Sequence, residues 1–309
     1  MLKKLSLNFN TVIVKYIPLQ KAEVNLCTLT WDCQILLTGS DDNSICIWKV
    51  ANGKLLARLK GHTGPVRACA FNTNCDWFAS GSHDRTVRVW DTARASCLNI
   101  LHGHNKSVET VCFSHDSKLL VSGSWDYSAI LWDPVSGNLL KTLYGHQNVI
   151  KTSAFSIEGA YLATGSWDYS VIVWHLQNEK RRKTLIGHSG NVSCVAFSQL
   201  GMLASGSWDR TVRIWNTNNG RLIFTLKDHT GWVKALAFRK DGIFLGTASD
   251  DGTVRVWDCE VGKCEQVLQG KLETVFTCKF SPSGSLFTAG TIDLKLHPRS
   301  NPPTPPHTE

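Results

Sequence analysis

Apolar residues along this chain come in short bursts separated by Gly, Asn, Asp and Ser, as in Val66 to Phe71, Trp77 to Ser82, Thr86 to Trp90 and Cys97 to Leu101. Each burst is rich in β-branched or aromatic residues and is bounded by turn formers, which is the signature of strands. Four such strands fall within a period of about 42 residues and make one antiparallel sheet. A sheet of that size cannot cover its own apolar faces, so repeated copies are expected to stack around an axis.

The period is marked by chemistry as well as by hydropathy. Tryptophan recurs at Trp48, Trp90, Trp132, Trp174, Trp215 and Trp257. An aspartate stands ahead of each, at Asp42, Asp84, Asp126, Asp168, Asp209 and Asp251, and Asp293 continues the series. Upstream lie Gly61-His62, Gly103-His104, Gly145-His146 and Gly187-His188, with Asp228-His229 as a variant of the same step.

The Gly-His start, the Gly-Ser-x-Asp turn and the Trp-Asp end resemble the WD-repeat family, over residues 11 to about 297. The resemblance implies an all-β fold, a seven-bladed WD-repeat β-propeller with repeats at about 20–48, 61–90, 103–132, 145–174, 187–215, 228–257 and 270–297. It also implies one hydrogen-bonded set per blade: His62, Ser80, Asp84 and Trp90; His104, Ser122, Asp126 and Trp132; His146, Thr164, Asp168 and Trp174; His188, Ser205, Asp209 and Trp215; His229, Thr247, Asp251 and Trp257. These are the residue types of a hydrolytic triad. A catalytic group occurs once, however, whereas this set recurs on one period, so the expectation is a structural frame and no enzyme.

The end repeats depart from the pattern. Gln20 and Lys271 stand where His is expected, Ala289 replaces the hydroxyl residue of the last repeat and Arg299 its Trp. Closing the ring requires the last sheet to be completed, and Thr11 to Ile17 read as a spare strand pairing there as its outer member. Residues 298–309, with Pro298, Pro302, Pro303, Pro305 and Pro306, read as a disordered Pro-rich tail.

In proteins with such repeats one rim of the disc usually receives partners, through the residue before each Asp and the two residues flanking the first strand's opening aliphatic. Carried onto this chain, the turn positions are Asp41, His83, Trp125, Trp167, Trp208, Asp250 and Ile292. The positions after the aliphatic are Asn25, Arg67, Glu109, Lys151, Ser193, Lys234 and Phe276, and Trp232 is one of those before it. Turns ordinarily take small polar residues. Trp125, Trp167, Trp208 and Trp232 therefore read as an aromatic arc for binding, with Lys151 and Lys234 beside the indoles and Phe276, Arg67 and His83 completing the candidate surface. Acidic Glu23, Asp41 and Asp250 suggest that a bound segment points its basic end towards the first blade.

Composition narrows the class further. A net charge of +8 from 33 basic and 25 acidic residues is too diffuse for a nucleic-acid platform, and the run Lys180 to Lys183 reads as a charged edge strand. Eleven cysteines without a C-x-x-C pair give no metal or redox motif, and no cofactor is expected. No apolar run approaches the roughly 18 residues of a membrane span. These features point to the cytosol or nucleus, and to a monomeric propeller working as a protein-interaction scaffold for a protein or peptide partner within a larger complex. The alternative is a ubiquitin-ligase substrate receptor. Against it, the Trp-Asp pairs are followed by Thr92-Ala93, Pro134-Val135 and Cys259-Glu260, without the arginine of a W-D-x-R motif.

Overall fold

The computed structural model describes residues 23–178, 182–269, 274–280 and 286–291, all strand, turn or coil. Blade 2 shows the unit. Its strands Val66–Phe71, Trp77–Ser82, Val87–Asp91 and Ser96–Leu101 pair antiparallel in that order. Five other sheets have the same four-stranded order, with first strands Val24–Leu29, Val108–Phe113, Ile150–Phe155, Val192–Phe197 and Val233–Phe238.

Burial falls from the axis outward. Second strands such as Tyr161–Ser166 are buried from the second residue on, because a neighbouring sheet covers each face. Fourth strands such as Ser96–Leu101 are mostly exposed, since wedge-shaped stacking separates the sheets at the circumference.

The core lies between blades. Val87 and Leu101 of blade 2 pack with Val108, Leu120 and Trp132 of blade 3, and Ala163 and Val171 of blade 4 pack with Val192, Leu203 and Trp215 of blade 5. Each of these third-strand tryptophans thus seals the junction with the preceding blade, a burial on the order of 3 kcal/mol. Close approach is permitted by the glycine of each Gly-Ser pair. A Cβ on Gly123 would lie 2.5 Å from Ile150 Cγ2, and one on Gly165 2.6 Å from Val192 Cγ1.

Where seven four-stranded blades were expected, six are present among the described residues. The seventh sheet consists, among the described residues, of Thr274–Phe280 paired with Leu286–Thr291. The sequence supplies a reason: Ala289 and Arg299 replace the hydroxyl and Trp of the other repeats, and Pro298 has no N–H to give a ladder. The ring nevertheless closes through its innermost strands, each touching the next from blade 1 round to Thr274–Phe280, which touches blade 1 again. Lys279 Nζ donates to Leu29 O across that seam at 2.9 Å. The proposed closure strand Thr11 to Ile17 and the tail 298–309 lie outside the described residues.

Candidate functional site

The hairpin between second and third strands is held by a saturated carboxylate. In blade 2, His62 Nδ1 donates to Asp84 Oδ2 at 2.8 Å, and Thr63 N donates to the same oxygen at 2.9 Å. Thr86 gives its amide and hydroxyl to Asp84 Oδ1, at 2.9 and 2.7 Å. With Nδ1 committed as donor, His62 Nε2 accepts from Ser80 Oγ at 2.7 Å, and Ser80 Oγ accepts from Trp90 Nε1 at 2.8 Å.

The pattern recurs in four further blades. His104, His146, His188 and His229 meet Asp126, Asp168, Asp209 and Asp251 at 2.8–2.9 Å. Their Nε2 atoms reach Ser122, Thr164, Ser205 and Thr247 at 2.8 Å. Those hydroxyls accept from Trp132, Trp174, Trp215 and Trp257 at 2.7–2.9 Å. Burial alone would raise each carboxyl's pKa, but the bonds from His and the neighbouring hydroxyl outweigh it and hold all five far below the ordinary 3.8. A carboxylate that already accepts four hydrogen bonds has little left for a substrate. The set works as a turn lock.

Two further groups complete this lock, one not singled out in the sequence and one already present there as the Ser of the Gly-Ser-x-Asp turn. One is the hydroxyl two residues after each Asp: Thr86, Ser128, Ser170, Thr211 and Thr253. The other is the Ser two residues before, as where Ser82 Oγ donates to Gly64 O at 2.9 Å and accepts from Asp84 N at 3.1 Å. Blade 1 keeps Trp48 Nε1 on Thr38 Oγ1 at 2.9 Å, and Asp42 is held by Arg58 from the blade's own outer strand.

The same hairpins build the rim. The amide of each turn residue donates to the carbonyl before the next-door first strand: His83 to Pro65, Trp125 to Ser107, Trp167 to Val149, Trp208 to Asn191 and Asp250 to Trp232, at 2.9–3.0 Å. Every first strand also skips one residue in its pairing just after its opening aliphatic. The skipped residues are Asn25, Arg67, Glu109, Lys151, Ser193, Lys234 and Phe276. A bulge turns its residue away from the regular alternation. Turn residue, bulge residue and the residue before the strand are thereby gathered at one edge of each blade.

Around that edge the four tryptophans touch in series. Trp125 and Trp167 meet edge to face with ring centres 5.2 Å apart, Trp167 and Trp208 are 5.8 Å apart, and Trp208 stacks on Trp232 at 4.4 Å with the planes 7° from parallel. The two ends stay open, with Trp125 39% and Trp232 43% exposed. Trp125 Nε1 donates to Glu109 Oε1 at 2.8 Å, Ser107 Oγ donates to the same atom at 3.1 Å, and Lys151 Nζ is 2.6 Å from Glu109 Oε2. Lys234 Nζ lies 5.0 Å from the Trp232 ring centre and 5.7 Å from that of Trp208, and 3.2 Å from Asp250 Oδ2.

Six of the nine candidate binding residues therefore form one patch: Trp125, Trp167, Trp208, Trp232, Lys151 and Lys234. Arg67 and His83 belong to blade 2. Arg67 Nη1 donates to Asn25 Oδ1 at 2.7 Å, and its guanidinium lies 3.7 Å from Asp41, while His83 is exposed. Phe276 is a bulge residue of the seventh sheet, and its side chain lies outside the described residues. The acidic side expected around Asp41 and Asp250 is altered by local pairing, because Asp41 accepts from Asn25 Nδ2 at 2.8 Å and Asp250 faces Lys234. The charges needed to orient a basic peptide end are partly spent on the chain itself.

Repeated blades, a recurring turn lock and one aromatic edge define the class as a β-propeller. The family model for the WD domain, G-beta repeat, matches residues 19–49, 53–91, 95–133, 137–175, 179–216, 220–258 and 262–297, and the chain belongs to that family. A stretch of 66 residues is 41% identical to apoptotic protease-activating factor 1 of Danio rerio. That match covers 18% of this chain and 5% of that protein, so the chain spans only a small part of this relative.

Proposed function

We propose that this propeller is a non-enzymatic scaffold that binds a protein partner, or a peptide segment of one, on the rim carrying Trp125, Trp167, Trp208 and Trp232. The observation behind this reading is the unbroken contact of four indoles over four consecutive blades, in turn and edge positions whose backbone geometry does not demand them. Trp is enriched in binding hot spots, and its removal from one typically costs about 2 kcal/mol or more of affinity. We place this work in the cytosol or nucleus, a reading supported by eleven free cysteines. We infer that its compact array is of the kind of WD repeat-containing protein 38, and that a ring of seven units is completed by Thr11 to Ile17.

The test is proximity labelling in cells with the wild-type chain and with Trp208→Ala and Trp232→Ala variants of unchanged melting temperature. A set of proteins labelled by the wild type and lost from both variants supports the rim as the docking face. Identical labelling by all three overturns it. A ubiquitin-ligase substrate receptor would use the same kind of surface, and no particular contact in the structure favours that role over a general scaffold.

A further inference from the structure

We propose that the tryptophan patch is built for an uncharged, proline-rich segment of another protein in the polyproline II conformation. This rests on the rim being the docking face, and it names the chemistry of the occupant.

Three properties of the patch narrow that chemistry. The first is charge. Glu109 is taken by Lys151, and Asp250 by Lys234. Lys234 also stands over the faces of Trp208 and Trp232, where a ligand cation would otherwise rest. An incoming cation meets a like charge, and an incoming anion must compete with carboxylates already in place. A neutral segment meets neither cost.

The second property is hydrogen bonding. Trp125 spends its indole N–H on Glu109, and Trp167 Nε1 is buried, without an acceptor and out of reach of a docked ligand. The indole N–H groups of Trp208 and Trp232, on partly exposed rings, are the ones left for a ligand, since they meet no acceptor among the described residues. The patch thus offers donors, while its carboxylates are engaged by the chain. Its complement is a ligand with many acceptors and few donors. A proline-rich backbone fits that description, because each proline lacks the N–H and the polyproline II helix leaves its carbonyls free of internal hydrogen bonds.

The third property is shape. Trp208 and Trp232 stack face on face, so they form one slab that meets a ligand with its outer surface and edges, Trp232 being 43% exposed, rather than an open cage for a single head group. Flat pyrrolidine rings pack on such surfaces, and a preformed polyproline helix loses little entropy on docking.

The test is selection of a phage-displayed library of random dodecapeptides on the wild-type protein, followed by titration of the recovered peptides in synthetic form. Peptides enriched in proline and poor in Lys, Arg, Asp and Glu are expected. Their affinity should change less than about twofold between about 50 and 300 mM salt, because no net charge is neutralised. It should fall at least about tenfold with Trp208→Ala, and several-fold with Trp232→Phe, which keeps an aromatic ring but removes the donor and part of the ring surface. Melting curves of both variants guard against misfolding, and the conservative Phe change keeps the test decisive if the Ala variant fails to fold. Recovery of charged or aromatic-anchored peptides without proline, but sensitive to these variants, overturns the proline assignment and leaves the docking face standing. Peptides indifferent to the variants, or no enrichment at all, overturn both.

Discussion

Lys151 Nζ stands 2.6 Å from Glu109 Oε2, so the bulge residue of blade 4 is tied to the bulge residue of blade 3 at the mouth of the ring. The same carboxylate holds the Trp125 indole, and one group therefore links two blade edges and the end of the aromatic arc. Burial would push the Glu109 carboxyl up, but the Lys151 charge and the bonds from Lys151, Trp125 and Ser107 bring it below its ordinary 4.5.

Glu109→Ala should leave the Trp125 N–H and a partly buried ammonium without their acceptor, at a cost of about 2 kcal/mol. Glu109→Gln keeps an acceptor for Trp125 and loses the charge, so it should fall between Ala and wild type. Urea unfolding at neutral pH checks the order. Equal stability of all three chains would show that the contact contributes nothing.

Acid should unfold the protein through its turn locks. Asp84, Asp126, Asp168, Asp209 and Asp251 have folded pKa values depressed below the unfolded 3.8, so the unfolded chain takes up protons first as pH falls. Their contribution is whole well above 3.8 and is lost as pH drops through the unfolded value towards the folded ones. His229 adds an earlier, smaller step. Burial lowers its pKa below 6.5, so it too favours the folded state above that value and loses the contribution as pH falls beneath it. Melting temperature should decline gently below about pH 6.5 and steeply below about pH 4. Asp126→Asn should flatten the steep part, whereas Asp116→Asn, in an exposed turn, should cost under about 1 kcal/mol and alter the curve much less. A steep limb that keeps its slope in Asp126→Asn would contradict this account.

The turn locks were legible because one contact is made over and over: His62, Ser80, Asp84 and Trp90 are read from the period alone. Thr86 and its counterparts are equally periodic, yet a hydroxyl beside an aspartate looks like ordinary turn composition, and its bond to the carboxylate leaves no further mark. The bulges at Arg67, Glu109 and Lys151 were located as positions but not as bulges, since a skipped residue does not disturb the local pattern of apolar residues. Glu109 and Lys151 are 42 residues apart in the chain. Their pairing becomes visible only when neighbouring blades are laid side by side. Arg58 is harder still, because it replaces the missing histidine of blade 1 from a different strand.

Packing between blades gives a sharper test of the ring than any surface change. A methyl group on Gly123 would meet Ile150 Cγ2 at 2.5 Å and Thr110 Cγ2 at 2.8 Å, both in a junction with no spare volume. Gly123→Ala should destabilise by about 1–3 kcal/mol. Ile150→Ala alone should cost about 2–5 kcal/mol through the cavity it leaves. In the double variant the new methyl occupies part of that cavity, so the loss should be smaller than the two single losses combined. Strict additivity in chemical denaturation would mean that the two residues do not meet.

Ring closure supplies the last prediction. First strands touch all the way round, and Lys279 crosses the seam to Leu29 O, so the seventh sheet belongs to the ring although two strands of it are described. In the other sheets the second strand is covered by a third and fourth, and an edge left without them recruits other chains. If Thr11 to Ile17 complete the seventh sheet, deleting residues 1–19 should expose its edge and turn a monomer into aggregates, while deleting residues 301–309 should leave size and melting temperature unchanged. Hydrogen exchange reads the same point without mutation. Amides of residues 11–17 and 274–280 should exchange together, and faster than those of Ile150–Phe155 deep in the regular blades, because local opening follows the poorest packing. Free-tail exchange of residues 11–17 beside a protected Thr274–Phe280 would assign the completing strand elsewhere, and a deletion chain that remains monomeric with an unchanged melting temperature would do the same.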